Sequence, residues 1–341
     1  MRALRYGIPF LALGSVPLGF MLGGAGSWLT VAATPVALLA FDGLLGGDED
    51  APPGPDALAY RLLPWLYIPL QIAVIVWAAR TVAGPGVDLV RGLGLTASVG
   101  LAGGIFGMLA AHEMVHSRRR AERGLGLAML AAMAYMHFRI AHIHGHHRRA
   151  ATWDDPASAR LGETAFAFIA RSVAGQWREA WAFEGERLAR SGRANAVAGN
   201  RMIQYLVIEA AVAALFASFG PISLAFWLAQ AVLAVSLLEM FNYVAHYGLS
   251  RGRGPSGALE RMAPRHSWNA SRRMNNWSLF NMGRHADHHR SGSREYQRLA
   301  FVPASPELPG GYAGAVLLAL VPPLWRRVMD PRAAAWADPA R

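Results

Sequence analysis

The chain has 341 residues, of which 53% are apolar and 16% charged, and a mean hydropathy of +0.22. That balance excludes an ordinary water-soluble enzyme and points to helices that cross a bilayer, each needing ~20 mostly apolar residues. There is no cysteine, so the chain holds no disulfide, zinc thiolate or iron–sulfur cluster, and a redox partner with such a cluster must be a separate polypeptide.

The net charge of +11 rests on 33 arginines and no lysine. Twenty-eight of them fall in 112–202 and 246–341; the others are Arg2, Arg5, Arg61, Arg80 and Arg91, near the ends of apolar runs. Arginine gathered on one set of loops follows the positive-inside rule, and it attracts anionic lipid or an acidic partner. No nucleic-acid partner is needed to explain it.

Six spans are predicted, at about 7–23, 28–45, 62–79, 92–111, 203–219 and 222–245. The first two, separated by "GAGS", form a tight hairpin. Arg2 and Arg5 before the first run also fit a cleaved signal peptide, but six crossings require that the run be retained. "GGDEDAPPGPD" (46–56) has the composition of a solvated linker, "ARTVAGPGVD" (79–88) joins spans three and four, and "SFGPIS" (218–223) is short enough only for a hairpin. The last apolar run, 312–325, is short and broken by Pro322 and Pro323, and reads as a re-entrant or interfacial piece. No internal repeat is present.

With the N-terminus inside, residues 112–202 and 246–341 face the cytoplasm, and they hold all twelve histidines. The expectation is one membrane-embedded domain, 1–341: an all-α integral membrane protein of six transmembrane helices under a cytoplasmic, histidine-rich helical cap.

Nine of the histidines fall in four groups. "HEMVH" puts His112 and His116 at i and i+4, on one helical face. "HIHGHH" repeats that spacing with His142 and His146 and adds His147. "NYVAHYG" supplies His246 at the end of span six, and "RHADHH" supplies His285, His288 and His289. "HEMVH" alone fits a zinc protease with Glu113 as base, but seven further histidines would then be surplus. Neutral imidazole suits iron, copper, nickel or zinc, so ligand type leaves the metal open. Nine nitrogens exceed what one ion takes and suit two ions with four or five ligands each. His144 is set two residues from His142 and His146, which points it away from their face. His137 and His266 read as structural or as partners of ligands.

These four groups with their flanks, "HHRRAATWDDPASAR", "NYVAHYGL", "RHSWNAS" and "LPGGYAGAVLLALVPPLWRRVMDPR", resemble the bacterial membrane-bound alkane 1-monooxygenases of the integral-membrane desaturase–hydroxylase superfamily. The resemblance covers roughly residues 60 to 335; the first two spans match in character only. It implies two iron ions held by His112, His116, His142, His146, His147, His246, His285, His288 and His289. It also implies dioxygen, an apolar hydrocarbon substrate, and a rubredoxin- or ferredoxin-type electron donor with its reductase. The location it implies is the bacterial inner membrane, with the site toward the cytoplasm. Ala141, Ile143 and Ala245 depart from the family's common residues, which bears on substrate range rather than on metal binding.

Three acids are expected near the ligands: Glu113, Asp287 and, inside span six, Glu239. Glu209 in span five is less well placed, and Asp154 and Asp155 suit either a turn cap or a histidine partner. The expected reaction is terminal hydroxylation of medium- or long-chain alkanes. Alternatives are hydroxylation of methyl groups on aromatics or terpenoids, a fatty-acyl hydroxylase or desaturase, and a non-enzymatic metal transporter. Bulky candidates for the lining of a substrate channel are Trp65, Trp77, Phe106 and Met108.

Overall fold

The computed structural model describes residues 2–50, 58–193, 197–253 and 256–336. Among them the regular elements are helices; no strand occurs, and extended pairings are isolated bridges such as Gly47 with Arg272. Six helices are long and apolar enough to cross a membrane: Arg2–Met21, Gly24–Leu45, Leu58–Val82, Leu89–His116, Arg201–Ser218 and Pro221–His246. The six predicted spans are all present, and the fourth runs five residues further than its apolar stretch. The first histidine pair therefore sits on the same helix that crosses the membrane.

Local chemistry sets the ends. Asp88 accepts the backbone N–H of Arg91 and starts span four, and Asn200 does the same for Met202 and Ile203 at span five. Gly220, at a φ of 117°, makes the turn into span six, and Pro221 occupies its first position, where no N–H is needed.

Span six is the axis of the bundle. It packs against spans three, four and five, the long Ala165–Arg190 helix and the short Gly311–Ala319 helix. Gly100 and Gly104 bring span four close to it: a Cβ at Gly104 would stand 2.8 Å from the Cα of Ala234. Small residues four apart allow such backbone approach between membrane helices. Glu209 of span five accepts the backbone N–H of Met136 at 2.8 Å, which ties that span to the segment carrying the second histidine group.

Beyond the spans, the Arg120–Ala132 helix packs on spans three and four, and Ala165–Arg190 lies over the region of 138–149. The late apolar run forms the nine-residue helix Gly311–Ala319, followed by Pro322–Ala335. Nine residues rise about 13 Å, too short to cross. The expected linker needs correction in its first part. Asp48 is buried and binds the Arg284 guanidinium at 3.3 Å and the side-chain amide of Asn276 at 2.8 Å. Residues 46–50 therefore tie the end of span two to residues 271–284; 51–56 lie outside the described residues.

Candidate metal centre

The last two turns of span four present His112 and His116. Residues 138–149 carry His142, His146 and His147, and within them His142–His146 is a π-helical turn with hydrogen bonds one residue wider than α. Span six ends on His246, and the short His285–Arg290 helix brings His285, His288 and His289.

All nine predicted histidines converge, in two adjoining groups. Five form one: His112, His116, His142, His147 and His288; four form the other: His146, His246, His285 and His289. Within each group the available ligand atoms lie within 4.8 Å of one another. The rings of His147 and His289, one from each group, are 4.8 Å apart. The i, i+4 pairing expected for His142 with His146 is overturned. The π turn places His147 beside His142 and sends His146 to the other group. The Asp287-bearing helix divides likewise, His285 and His289 staying together while His288 crosses to the five-membered group.

The nitrogens fit a cation. The Nε2 atoms of His116, His142 and His147 form a triangle with sides of 3.0, 3.0 and 3.2 Å, and His112 Nε2 is 2.8 Å from that of His142. A second triangle joins His246, His285 and His289 at 3.1, 3.2 and 3.3 Å. Each Nε2 carries either one proton or one in-plane lone pair, so at most one side of such a triangle is a good hydrogen bond. Ligand atoms about 2.0–2.1 Å from a shared ion, as imidazoles are on zinc, stand about 3 Å apart at right angles. His146 Nε2 and both nitrogens of His288 are buried with no hydrogen-bond partner. Burial pushes His142, His285, His288 and His289 well below the usual imidazole range and His147 down to about 3. Neutral rings are the form that binds metal.

Two ring orientations are fixed from behind. Asp155 Oδ2 lies 2.8 Å from His146 Nδ1 and also accepts the Ser158 hydroxyl at 2.6 Å, while its Oδ1 accepts the Ala157 N–H. Burial works against its charge, yet the His146 ring and these hydrogen bonds hold the Asp155 carboxyl below the usual range. It thus serves as both turn cap and histidine partner. His246 Nδ1 lies 3.2 Å from the carbonyl of His266, so this histidine acts through its backbone. Its ring accepts the N–H of Ala263.

The three acids expected beside the ligands make no hydrogen bond to them. Glu113 accepts the backbone N–H of Tyr296. Asp287 pairs with Arg290 and Arg294 and accepts the N–H of Ala300. Glu239 accepts from Tyr135, Ser172, Gln176 and Asn242, a buried clasp between span six and the helix above it. His144 belongs to neither group, as its spacing implied. His137 is buried against the edges of Tyr135 and Trp177, without a hydrogen-bond partner. Arg149 is held by Glu179, which sequence reading missed, and Arg148 is exposed.

Residues 89–315 match the model of the fatty acid desaturase family. The chain is 36% identical to alkane 1-monooxygenase 2 of Pseudomonas aeruginosa, over 98% of this chain and 94% of that one. It is 38% identical to the alkane 1-monooxygenase of Acinetobacter baylyi, over 80% of this chain and 67% of that one. The chain belongs to the alkane 1-monooxygenase family. A more distant similarity, 28% over 95% of this chain and 87% of the other, links the family to the xylene/toluene monooxygenase hydroxylase component of Pseudomonas putida.

An apolar cavity lies beside the centre of this family member, and a polar cleft reaches it. The cavity, of about 360 Å³, lies between spans two, four and six and the Gly311–Ala319 helix, within the ~300–1,000 Å³ of ligand sites. Its wall includes Leu109, one turn before His112, and Phe241, whose ring is 5.6 Å from that of His285. Leu317 and Leu320 on its rim are exposed along the apolar flank of the bundle. None of the four bulky residues expected in its lining is there. Ile105 and Leu109 take the places anticipated for Phe106 and Met108, which are buried in the core. Trp65 donates to Glu122, and Trp77 stands edge-on to Phe20 beside span one. Ala141 and Ile143 do not line the cavity either.

The polar cleft, of about 340 Å³, reaches His116 and Glu113. Five arginines, Arg61, Arg118, Arg119, Arg294 and Arg298, and three glutamates, Glu113, Glu122 and Glu295, stand around it, a surplus of positive charge.

Proposed function

We propose that the chain is a two-iron, dioxygen-dependent monooxygenase that converts medium- or long-chain alkanes to primary alcohols. The observation that carries this reading is a pair of nitrogen triangles with an apolar cavity beside them, whose wall residue Phe241 stands 5.6 Å from the His285 ring. The names of the relatives, alkane 1-monooxygenases, supply the substrate class.

The nine histidines are the ligands in this reading, five for one iron and four for the other. Iron held there supplies the activation of dioxygen, so that RH, O2, two protons and two electrons give ROH and water. The chain's own part is positional. Val31 and Asp42, both on the cavity wall, are eleven residues apart on span two, about 16 Å of helix. A hydrocarbon lying along that wall ends beside Phe241 and Leu109, and the apolar side chains that make up most of the lining hold it in place there. Asp155 and the His266 carbonyl hold two imidazoles in the tautomer that leaves Nε2 bare.

A separate rubredoxin- or ferredoxin-type carrier, reduced by its own reductase, docks at the arginine cleft beside His116. The absence of cysteine from the chain and the sign of the cleft's charge support that assignment. This reading takes 1–341 as one catalytic unit in the bacterial inner membrane, and arginine placement supports a histidine side toward the cytoplasm. The ligands sit at the ends of spans four and six, whereas a transporter binds near the bilayer midplane, which disfavours transport.

The test is purification under nitrogen, iron analysis, and assay in nanodiscs with a reduced carrier, dioxygen and decane, with p-xylene and a fatty acyl substrate in parallel. About two irons per chain and 1-decanol as the main product support the reading. Iron with oxidation of p-xylene or the acyl chain, and none of decane, overturns the substrate assignment.

A further inference from the structure

One feature of the apolar cavity has no use in holding a hydrocarbon. Asp42, in the last turns of span two, is 5% exposed and shares the cavity wall with Leu38, Leu279 and Tyr312. Its Oδ1 accepts the backbone N–H of Asn275 at 2.8 Å and so caps the short Arg273–Ser278 helix. Its Oδ2 is buried and has no hydrogen-bond partner. Gly311 packs beside that atom, and the lack of a side chain there keeps it uncrowded: a Cβ would lie 2.8 Å from Oδ2.

Capping needs one oxygen, which Asn or Ser would supply without a buried carboxylate. A bare acceptor in apolar walls is costly unless something donates to it. A run of contacts leads from it to the histidines. Asn275 Oδ1 accepts the N–H of Tyr312 at 3.0 Å, the Tyr312 ring stacks on Phe241 at 4.1 Å, and Phe241 meets His285.

We propose that Asp42 is a hydroxyl-binding residue of this cavity, its Oδ2 accepting the O–H of a primary alcohol whose chain lies along the apolar walls. An alkane offers that oxygen nothing. A carboxylate tail would be repelled by it, and an ammonium would carry full charge through the lipid-facing opening. An alcohol has the donor and loses little on entering. The inference rests on the cavity being the hydrocarbon site, and it makes the alcohol a tighter occupant than the alkane it comes from.

The test compares 1-decanol, 1-methoxynonane and undecane as competitors of a fluorescent fatty probe bound to the iron-loaded protein in nanodiscs, with concentrations corrected for partition into the bilayer. The ether has the same oxygen and length but no O–H. A hydrogen bond to a charged acceptor implies about tenfold tighter binding of 1-decanol than of the ether. In Asp42→Asn, whose amide keeps an acceptor for Asn275 and donates to either oxygen, the two should bind within about twofold. Equal binding of alcohol and ether by the unsubstituted protein, while undecane still displaces the probe, overturns the role of Asp42 alone. Failure of all three to displace it overturns the cavity's assignment as well. The comparison within the unsubstituted protein decides the matter even if Asp42→Asn does not fold.

Discussion

His142 and His147 are five residues apart, yet their Nε2 atoms face each other at 3.0 Å, while His146, the α-helical partner of His142, belongs to the neighbouring group. The π turn between them divides one short stretch of chain between two sites. Each site then draws the rest of its ligands from different elements. Loss of a single histidine should therefore empty one site and spare the other. His285→Ala is expected to lower bound iron from about two ions per chain to about one, measured by elemental analysis of anaerobically purified protein. His144→Ala should retain both. No iron at all in His285→Ala would mean that the sites fill only as a pair.

Asp155 shares its carboxylate between His146 and Ser158. Asp155→Asn keeps the shape of the turn and removes the charge that supports the imidazole. Partners of this kind are worth about 10–100-fold in metal affinity or activity. Alkane turnover should fall by that order while the unfolding temperature stays within a few degrees of the parent. Undiminished turnover would remove Asp155 from the functional account.

Glu239 should show the opposite profile. Four buried donors converge on it, and Glu239→Leu leaves them unpaired at about 1–3 kcal/mol for each such group. Yield and thermal stability in detergent should drop sharply, by at least about 3 kcal/mol. Iron per folded chain should not change, because no histidine bonds to this carboxylate. A stable Glu239→Leu protein depleted of iron would contradict the clasp.

Chain length is expected to respond at Val31, near the cavity end away from the histidines, and not at Trp77. Val31→Trp should shift the preferred alkane to shorter chains in a competition assay over C6 to C16 read by gas chromatography. Trp77→Ala should leave the profile as it was, since Trp77 packs on span one. A longer range in Trp77→Ala would restore the channel role expected from its bulk.

Composition and periodicity made the spans legible, because long apolar runs have few other uses. The histidines were legible for a related reason: nine imidazoles at one membrane face have few structural purposes. Their division was not. An i, i+4 reading assumes α geometry, and "HIHGHH" carries no mark of the wider turn that puts His147 rather than His146 beside His142. The partners of the acids were hidden on similar grounds. Glu113 and Asp287 are adjacent to ligands in sequence, but neighbours on a helix point in different directions, so each meets its own partner. Asp155, nine residues from His146, reaches it because the chain between them folds back. The cavity lining was missed by one position, since bulk suggested Phe106 and Met108 where face selects Ile105 and Leu109.

The cavity rim at Leu317 and Leu320 opens along the apolar flank of the bundle rather than toward the polar cleft at His116. Substrate arriving that way is drawn from the lipid phase, so the quantity the protein meets is a mole fraction among acyl chains. An apparent KM written in aqueous molarity then measures mostly how an alkane distributes between water and membrane, and it should move with the lipid-to-protein ratio at constant total alkane. Long and short alkanes become comparable only when titrated per lipid. The growth medium also enters the kinetics, since any change in acyl packing alters the supply at the rim without touching a residue of the site.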